Sequence, residues 1–510
     1  MTVAAEIHDR AAALEYLFGR IDYERTRTIP YRSRGFKLDR MRRLVEHLEN
    51  PQDSLRVVHV AGTKGKGSTS AMIASVLSES GYRTGLYMSP HLDRPEERLV
   101  IDGRPCEAHE LVALVRRVKP VVARMDREAM ADPEDEGPTY FEITTAMAML
   151  HFASRQVDAA VLEVGLGGRL DSTNVCSPAV CVITSISYDH MRMLGNTLAE
   201  IAIEKAGIIK PGVPVVSGVT RDEPRAQIER IARERGSPLI QAGRDFGYRY
   251  RPPRLAADRD TRPATCDGRP QPSIDYWSSL GGKRHDWPDV QIGLVGRHQG
   301  ANAAVGLTVL ELLRQQSWSI PEDATRRGMA RVRCPARVEI LSRSPTVIID
   351  AAHNPASVAA LAQVLDESFA EAPGVSWPSA STERAVRTLV FATSHDKDAA
   401  GMLRLLVPKF DRILLTRFLN NPRSVAPEEL LQITRRIADE GRGDDGNTVD
   451  GDGRPRSGPP RVVVCADPAS THSQLIAEVA PDQLVCVTGS FFIAAEMRRL
   501  LSEMPLGVSS

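Results

Sequence analysis

His59-Val-Ala-Gly-Thr-Lys-Gly-Lys-Gly-Ser-Thr69 closes the apolar run Leu55–Val60 (LRVVHV) and opens a helical pattern from about Ser68 to Ser80, with Gly81 as its stop. A buried strand, a glycine loop and a helix in that order make a phosphate-binding turn at the edge of an α/β sheet. Gly62, Gly65 and Gly67 let the backbone turn tightly and turn N–H groups towards an anion. The helix that follows adds the positive end of its dipole. Lys66 can reach the β- and γ-phosphates of a nucleotide, and the Ser68 hydroxyl can face Mg²⁺. The spacing G-x-x-G-K-G-S is tighter than the general G-x-x-x-x-G-K-[ST], which points away from GTPases and most ATPases.

Working outward, short β-branched runs alternate with longer helical patterns. Thr84–Tyr87, Ala159–Val164 (AAVLEV) and Val180–Ser185 (VCVITS) read as further strands of a mostly parallel sheet. From 251 to 289 the chain is crowded with Pro, Arg, Asp and Gly and reads as an irregular excursion with little functional weight; a helix resumes at about Asn302–Arg314. A second series of strands is expected at Thr346–Asp350, Arg387–Thr393, Arg412–Thr416, Arg461–Cys465 and Leu484–Thr488. The fold class expected is thus α/β: an N-terminal P-loop domain over 1–334 and a smaller, Rossmann-like α/β domain over 335–510. The stretch 441–460 (GRGDDGNTVDGDGRPRSGPP) has the composition of a surface loop.

Composition narrows the class. The 510 residues carry 65 Lys+Arg against 65 Asp+Glu, a balance that gives no sign of a nucleic-acid or anionic-membrane partner. Seven cysteines without a C-x-x-C pair fit buried thiols in a reducing compartment better than disulfides or a zinc site. No signal-like N-terminus and no apolar run of the roughly 20 residues needed to span a bilayer can be found. A cytoplasmic protein, expected as a monomer, is the reading.

Candidate metal ligands follow the strand ends. Glu163 lies just before Gly165-Leu-Gly-Gly-Arg-Leu-Asp-Ser-Thr-Asn174, where a carboxylate at the C-terminal end of a strand suits a hard cation. His190 in TSISYDHMRMLG, Lys205 in IEKAGIIKP and Ser89 before Pro90-His91 are unremarkable singly: a lone His is more often structural, a Lys more often at the surface, a Ser more often in a turn.

Together these segments resemble the folylpolyglutamate synthase/dihydrofolate synthase family, a branch of the Mur-type ATP-dependent amide ligases. The matching pieces are AGTKGKGST (61–69), SPHL (89–92), TYFE (139–142), EVGLGGRLDSTN (163–174), TSISYDH…LG (184–195), EKAGI (204–208), ANAA (301–304), AR (336–337), DAAHNP (350–355), HDKD (395–398) and TGS (488–490). They run in the family's order over most of the chain from about 30 to 495. Lys64 stands where Asn is frequent, and Ala336 and Ala351 replace common glycines; none of these removes a catalytic group.

The resemblance implies roles. Thr63, Lys64, Gly65, Lys66, Gly67 and Ser68 would hold ATP, with Asn302, Arg337 and Asp350 assisting where the two domains meet. Ser89, Glu163 and His190 would bind magnesium, one ion or two, and Lys205 matches the lysine that is carbamylated in this superfamily. Thr139, Tyr140 and Phe141 would border the pterin substrate, folate or dihydropteroate. His353 and Ser490 would serve L-glutamate, with His353 as a base for its amine. ATP would phosphorylate the acceptor's carboxylate, glutamate would attack the acyl phosphate, and the second domain would close over the first to exclude water. The N-terminal segment IDYERTRTIPYRSRGF does not separate the two activities. Two other readings compete: a Mur-type ligase acting on a peptidoglycan precursor, and a P-loop nucleotide hydrolase without ligase chemistry.

Overall fold

The computed structural model describes residues 7–22, 38–131, 136–253, 255, 271–369, 386–440 and 459–503. They divide into two compact units. The first comprises the described residues of Met1–Tyr250, Ile274–Gly293 and Gln299–Arg333; the second, those of Arg251–Ser273, Leu294–His298 and Cys334–Ser510.

The first unit is built on strands β1 (Val57–Ala61), β2 (Thr84–Tyr87), β3 (Leu99–Ile101), β4 (Arg104–Pro105), β5 (Ala159–Glu163), β6 (Pro178–Ile183), β7 (Val215–Ser217) and β8 (Leu239–Gln241), in the order β4-β3-β2-β5-β1-β6-β7-β8. From β2 to β8 every neighbour is parallel; β3 and β4 extend the sheet antiparallel and end it at Pro105. All five residues of β1 and of β5 are buried, which is why these strands read as near-continuous apolar runs rather than alternations, interrupted by His59 in β1 and ended by Glu163 in β5. Since β1 lies between β5 and β6, the glycine loop, Glu163 and the residues after Ile183 leave the sheet at one edge, where α/β sheets bind ligands.

The helix after the glycine loop spans Lys66–Glu79 and is buried over most of its first three turns. It packs on the helix Glu322–Arg331 so closely that a Cβ on Gly328 would lie 2.5 Å from the Cα of Val76. Glycine is required there for backbone approach.

The part of the 251–289 excursion from 271 onward is a correction, while residues 254 and 256–270 of it lie outside the described residues. Residues β9 (Phe246–Arg251), β10 (Ser273–Ser278) and β11 (His285–Gln291) form a three-stranded sheet in the order β11-β10-β9. SIDYWS alternates as a half-buried strand does, but its flanking Pro and Gly residues masked the pattern. β11 carries Pro288, which the ladder tolerates because β11 is an edge. The helix expected from Asn302 starts earlier and runs Arg297–Gln315.

The second unit holds β12 (Glu339–Arg343), β13 (Thr346–Ile349), β14 (Arg387–Phe391), β15 (Arg412–Leu415), β16 (Arg461–Val464) and β17 (Leu484–Thr488), ordered β12-β13-β17-β14-β15-β16. All pairings are parallel except β12–β13. Five of these strands lie where the sequence placed them; β12 was not foreseen. Most of the 441–460 loop, the IDYERTRTIPYRSRGF segment after Asp22 and Cys266 fall outside the described residues. The six described cysteines are all free thiols, five of them buried.

Candidate active site

The glycine loop is pinned from beneath by the chain after β6. Thr63 donates its N–H to the Ser185 carbonyl at 2.7 Å, and the Lys64 N–H donates to Ser185 Oγ at 3.0 Å. The hydroxyls of Thr184 and Ser185 return hydrogen bonds to the Lys64 carbonyl at 2.7 and 2.9 Å. Thr63 Oγ1 accepts from Ser187 N at 3.1 Å, so its hydroxyl is spent on structure. Gly62 and Gly65 adopt φ of +147° and +86°, and Gly65 caps a helix whose N-terminus no side chain caps. Such an end, with its first N–H groups aimed outward, is an anion seat.

Three predicted cations surround this seat. Lys66 Nζ donates to the Gly62 carbonyl at 3.1 Å, and Lys205 Nζ donates to the same oxygen at 3.0 Å. Lys205 stands in the last turn of the helix Leu198–Ala206 and is 4% exposed. Burial first, and the charge of Lys66 second, pull its amine down to about 7. Lys64 Nζ pairs with Asp189 Oδ2 at 3.0 Å, both side chains only partly exposed to solvent. Asp189 was not among the expected site residues; adjacent charge in SYDH carries no periodic signal, and its partner lies 125 positions away.

Asn302 is brought onto the loop. A Cβ at Gly65 would fall 2.1 Å from its Oδ1, and its Nδ2 donates to the buried Gln299 at 2.9 Å. Glu163 ends β5 with 5% exposure, its carboxylate 3.5 Å from where a Cβ on Gly67 would be. Ser89 donates its backbone N–H to Glu163 Oε2 at 3.3 Å. A buried carboxylate beside the Ser89 hydroxyl and the anion seat is an oxygen donor set of the kind a hard divalent cation takes. His190 has left-handed backbone (φ 49°), and its N–H donates to Asp189 Oδ1 at 3.1 Å; its half-exposed ring reaches the seat through the Asp189–Lys64 pair. Among the described residues, no group of three or more His, Cys, Asp or Glu gathers as a ready-made metal cage.

The three residues expected to border a pterin divide. Thr139 is the N-cap of the helix Tyr140–Ser154: it accepts from Glu142 N, while its own N–H and hydroxyl both donate to Glu142 Oε2 at 2.8 Å. Tyr140 is fully buried under Phe18 and Arg98. Phe141 alone faces the next glycine loop, since a Cβ on Gly165 would meet its ring at 2.4 Å. The TYFE motif therefore works first as a capping box, braced by a buried Arg40–Glu142 pair at 2.9 Å that sequence reading missed.

In the second unit, Arg337 lies 4.9 Å from the centre of the Phe491 ring, and His353 stacks near the same ring at 5.8 Å. Asp350 Oδ2 and Oδ1 accept from the N–H groups of Val338 and Ala352 at 2.9 and 2.8 Å. Burial raises its carboxyl above the usual range while Arg337 opposes that. His353 Nδ1 lies 3.0 Å from the Ala351 carbonyl, which can only accept, so Nδ1 carries the proton and Nε2 is the basic nitrogen. Ser490 Oγ accepts from Ile493 N at 3.2 Å, capping the helix Phe491–Glu503 rather than standing open. His298, exposed at its surface though partly desolvated, lies close enough to Arg337 for that charge to lower its basicity further.

Comparison with known proteins identifies the family. The Mur ligase middle domain matches residues 60–310, and the Mur ligase glutamate ligase domain matches 336–491. A dihydrofolate synthase/folylpolyglutamate synthase of Bacillus subtilis is 37% identical over 371 residues, 72% of this chain and 78% of that protein. The chain belongs to the folylpolyglutamate synthase/dihydrofolate synthase family. A folylpolyglutamate synthase from Thermotoga maritima superposes with a TM-score of 0.76 at 27% identity, over 98% of both chains. Another member, from Mycobacterium tuberculosis and complexed with ADP and AMPPCP, gives 0.75 at 30% identity over 98% of this chain and 100% of its own. The two-domain α/β architecture expected from the motifs is that of the family, and the chain is an ATP-dependent ligase by that membership.

Proposed function

We propose that this ligase adds L-glutamate to a folate, to dihydropteroate, or to both, through an acyl phosphate made with ATP. The observation that carries the reading is the pair of lysines on the Gly62 carbonyl, beside Glu163 and an uncapped helix end.

A carboxylate resists attack by an amine because its charge and resonance repel the nucleophile. Phosphorylation by ATP gives it a leaving group, and the protein need only position and neutralise. The loop amides from Thr63 to Ser68, with Lys66 and Lys64, would hold the triphosphate, and Asn302 would keep the loop in shape. Lys64 must exchange Asp189 for phosphate to do so. Ser89, Glu163 and His190 would hold magnesium, which when bound neutralises phosphate charge and draws in the carboxylate.

A buried Lys205 amine with its basicity lowered to about 7 has a substantial neutral fraction that can add to CO₂, forming a carbamate N–C bond with loss of one proton. The carbamate would turn a cation into an anionic oxygen ligand. His353 Nε2 would take the proton from the glutamate ammonium, freeing the amine to attack and release phosphate. Arg337 and Asp350 would assist ATP, and Phe141 would border the pterin ring. Buried thiols and the absence of any described helix long and apolar enough to cross a membrane support a cytoplasmic site of action; a monomer is the state we expect.

The deciding experiment is phosphate release with dihydropteroate or tetrahydrofolate, each with and without glutamate, with product mass as the second readout. Glutamate-dependent release with at least one acceptor is expected. Hydrolysis that ignores both substrates would make the protein a nucleotide hydrolase.

A further inference from the structure

A polar chain runs through the core of the first unit where apolar residues are the rule. His59 is the middle residue of β1, wholly buried between Leu162 and Cys181 of the neighbouring strands. Its Nε2 is 2.8 Å from Thr173 Oγ1, which in turn donates to Asp171 Oδ1 at 2.5 Å. Because the hydroxyl proton goes to the carboxylate, the imidazole must donate from Nε2 and Nδ1 is bare. Nδ1 is accordingly buried with no hydrogen-bond partner among the described residues, and burial keeps the ring neutral, with a pKa of about 3.

Asp171 closes the glycine loop upon itself: Oδ2 accepts from Leu166 N at 2.9 Å and Oδ1 from Thr173 N at 3.0 Å. That loop touches two parts of the candidate site. Gly165 lies against the Phe141 ring, while Gly168 is packed on the backbone of Glu204 and Lys205, and Arg169 N donates to the Glu204 carbonyl at 2.8 Å. The nucleotide loop takes its side-chain hydrogen bonds mainly from Thr184 and Ser185, although Lys205, on whose backbone Gly168 packs, also donates to its Gly62 carbonyl.

We infer that the His59–Thr173 hydrogen bond positions the Gly165–Asp171 loop for the carboxylic-acid acceptor, making His59 and Thr173 positioning residues for that substrate alone. The inference rests on the ligase reading above. An imidazole buried with one nitrogen unpartnered is costly to a core, and a methionine would fill the space. What the imidazole adds is a donor at one fixed point, which holds the Thr173 rotor towards Asp171.

The test uses the full-length enzyme and four variants. Thr173→Val keeps shape and loses the hydroxyl; Thr173→Ser keeps the hydroxyl. His59→Met loses the donor, whereas His59→Gln places an amide nitrogen the same number of bonds from Cβ. The loss of one well-made buried hydrogen bond corresponds to roughly a 10-fold change, so Thr173→Val and His59→Met should raise the acceptor KM roughly 10-fold while the ATP KM stays within about 2-fold. Thr173→Ser and His59→Gln should restore the wild-type value, with thermal midpoints recorded for all four.

Equal acceptor KM for Thr173→Val and Thr173→Ser would overturn the proposal. So would a rise of both KM values in step, because that is how a structural lesion behaves. If either apolar variant fails to fold, the other with its rescue partner decides. Failure of the ligase reading is distinguishable, since wild-type enzyme would then show no glutamate-dependent phosphate release at all.

Discussion

Lys66 and Lys205 donate to one and the same carbonyl oxygen, that of Gly62, the first from the helix that follows the nucleotide loop and the second from the helix Leu198–Ala206, at 3.1 and 3.0 Å. Burial of Lys205 disfavours its charged form, and the neighbouring Lys66 ammonium adds to that. The Lys205 amine titrates near 7 in the fold against 10.5 in the open chain.

The sign of the effect on stability follows. Between about pH 7 and 10.5 the unfolded chain binds the proton that the native state has released, so stability rises with pH across that window. Lys205→Met should therefore raise the thermal midpoint at pH 6 in CO₂-free buffer, with the gain shrinking as pH approaches 10. Turnover should fall by about 10²–10³-fold, the usual scale for loss of one electrostatic group. Calorimetry across pH checks the first part, and a gain that grows with pH would refute it.

Gly65→Ala meets two obstacles. Left-handed backbone costs an L side chain about 1–2 kcal/mol, and the new Cβ would collide with Asn302 Oδ1. We expect a severalfold rise in the ATP KM with a lowered melting temperature. In the Gly65→Ala/Asn302→Ala double variant the collision is gone and only the backbone strain persists. A double variant no more stable than the additive sum would argue against the contact.

The Arg40–Glu142 pair is buried at both ends and also holds the cap at Thr139. Glu142→Ala strands a guanidinium inside the protein, a change that costs about 3–5 kcal/mol. Urea unfolding should show a shift in midpoint of that size, and Glu142→Gln should recover part of it. A loss confined to substrate affinity at full stability would instead favour a direct role at the pterin.

Arg337→Ala removes the cation against Phe491 that opposes burial of Asp350. ATP use and ligation should weaken together. Unchanged steady-state kinetics would take Arg337 out of the site.

How much of this was legible in the sequence depended on whether each signal is local. The glycine loop, Glu163 at the end of AAVLEV and the parallel core read directly, because strand, turn and helix succeed one another within a few residues. Asp189, Arg40 and His59 did not, since each gains its meaning from a partner more than 100 positions away. Thr139 and Ser490, expected beside substrate, also cap helices, a role that Thr and Ser fill at any helix start and that their motifs did not announce. β10 was hidden among Pro and Gly, whose abundance spoke for disorder more loudly than SIDYWS spoke for a strand.

Pro105 on β4 and Pro288 on β11 stand on the outermost strands of their sheets. A proline offers no N–H to a passing chain, so these margins are poor templates for intermolecular ladder growth. Their value shows only in crowded solution: Pro288→Thr could leave catalysis intact and still make concentrated protein cloud on storage.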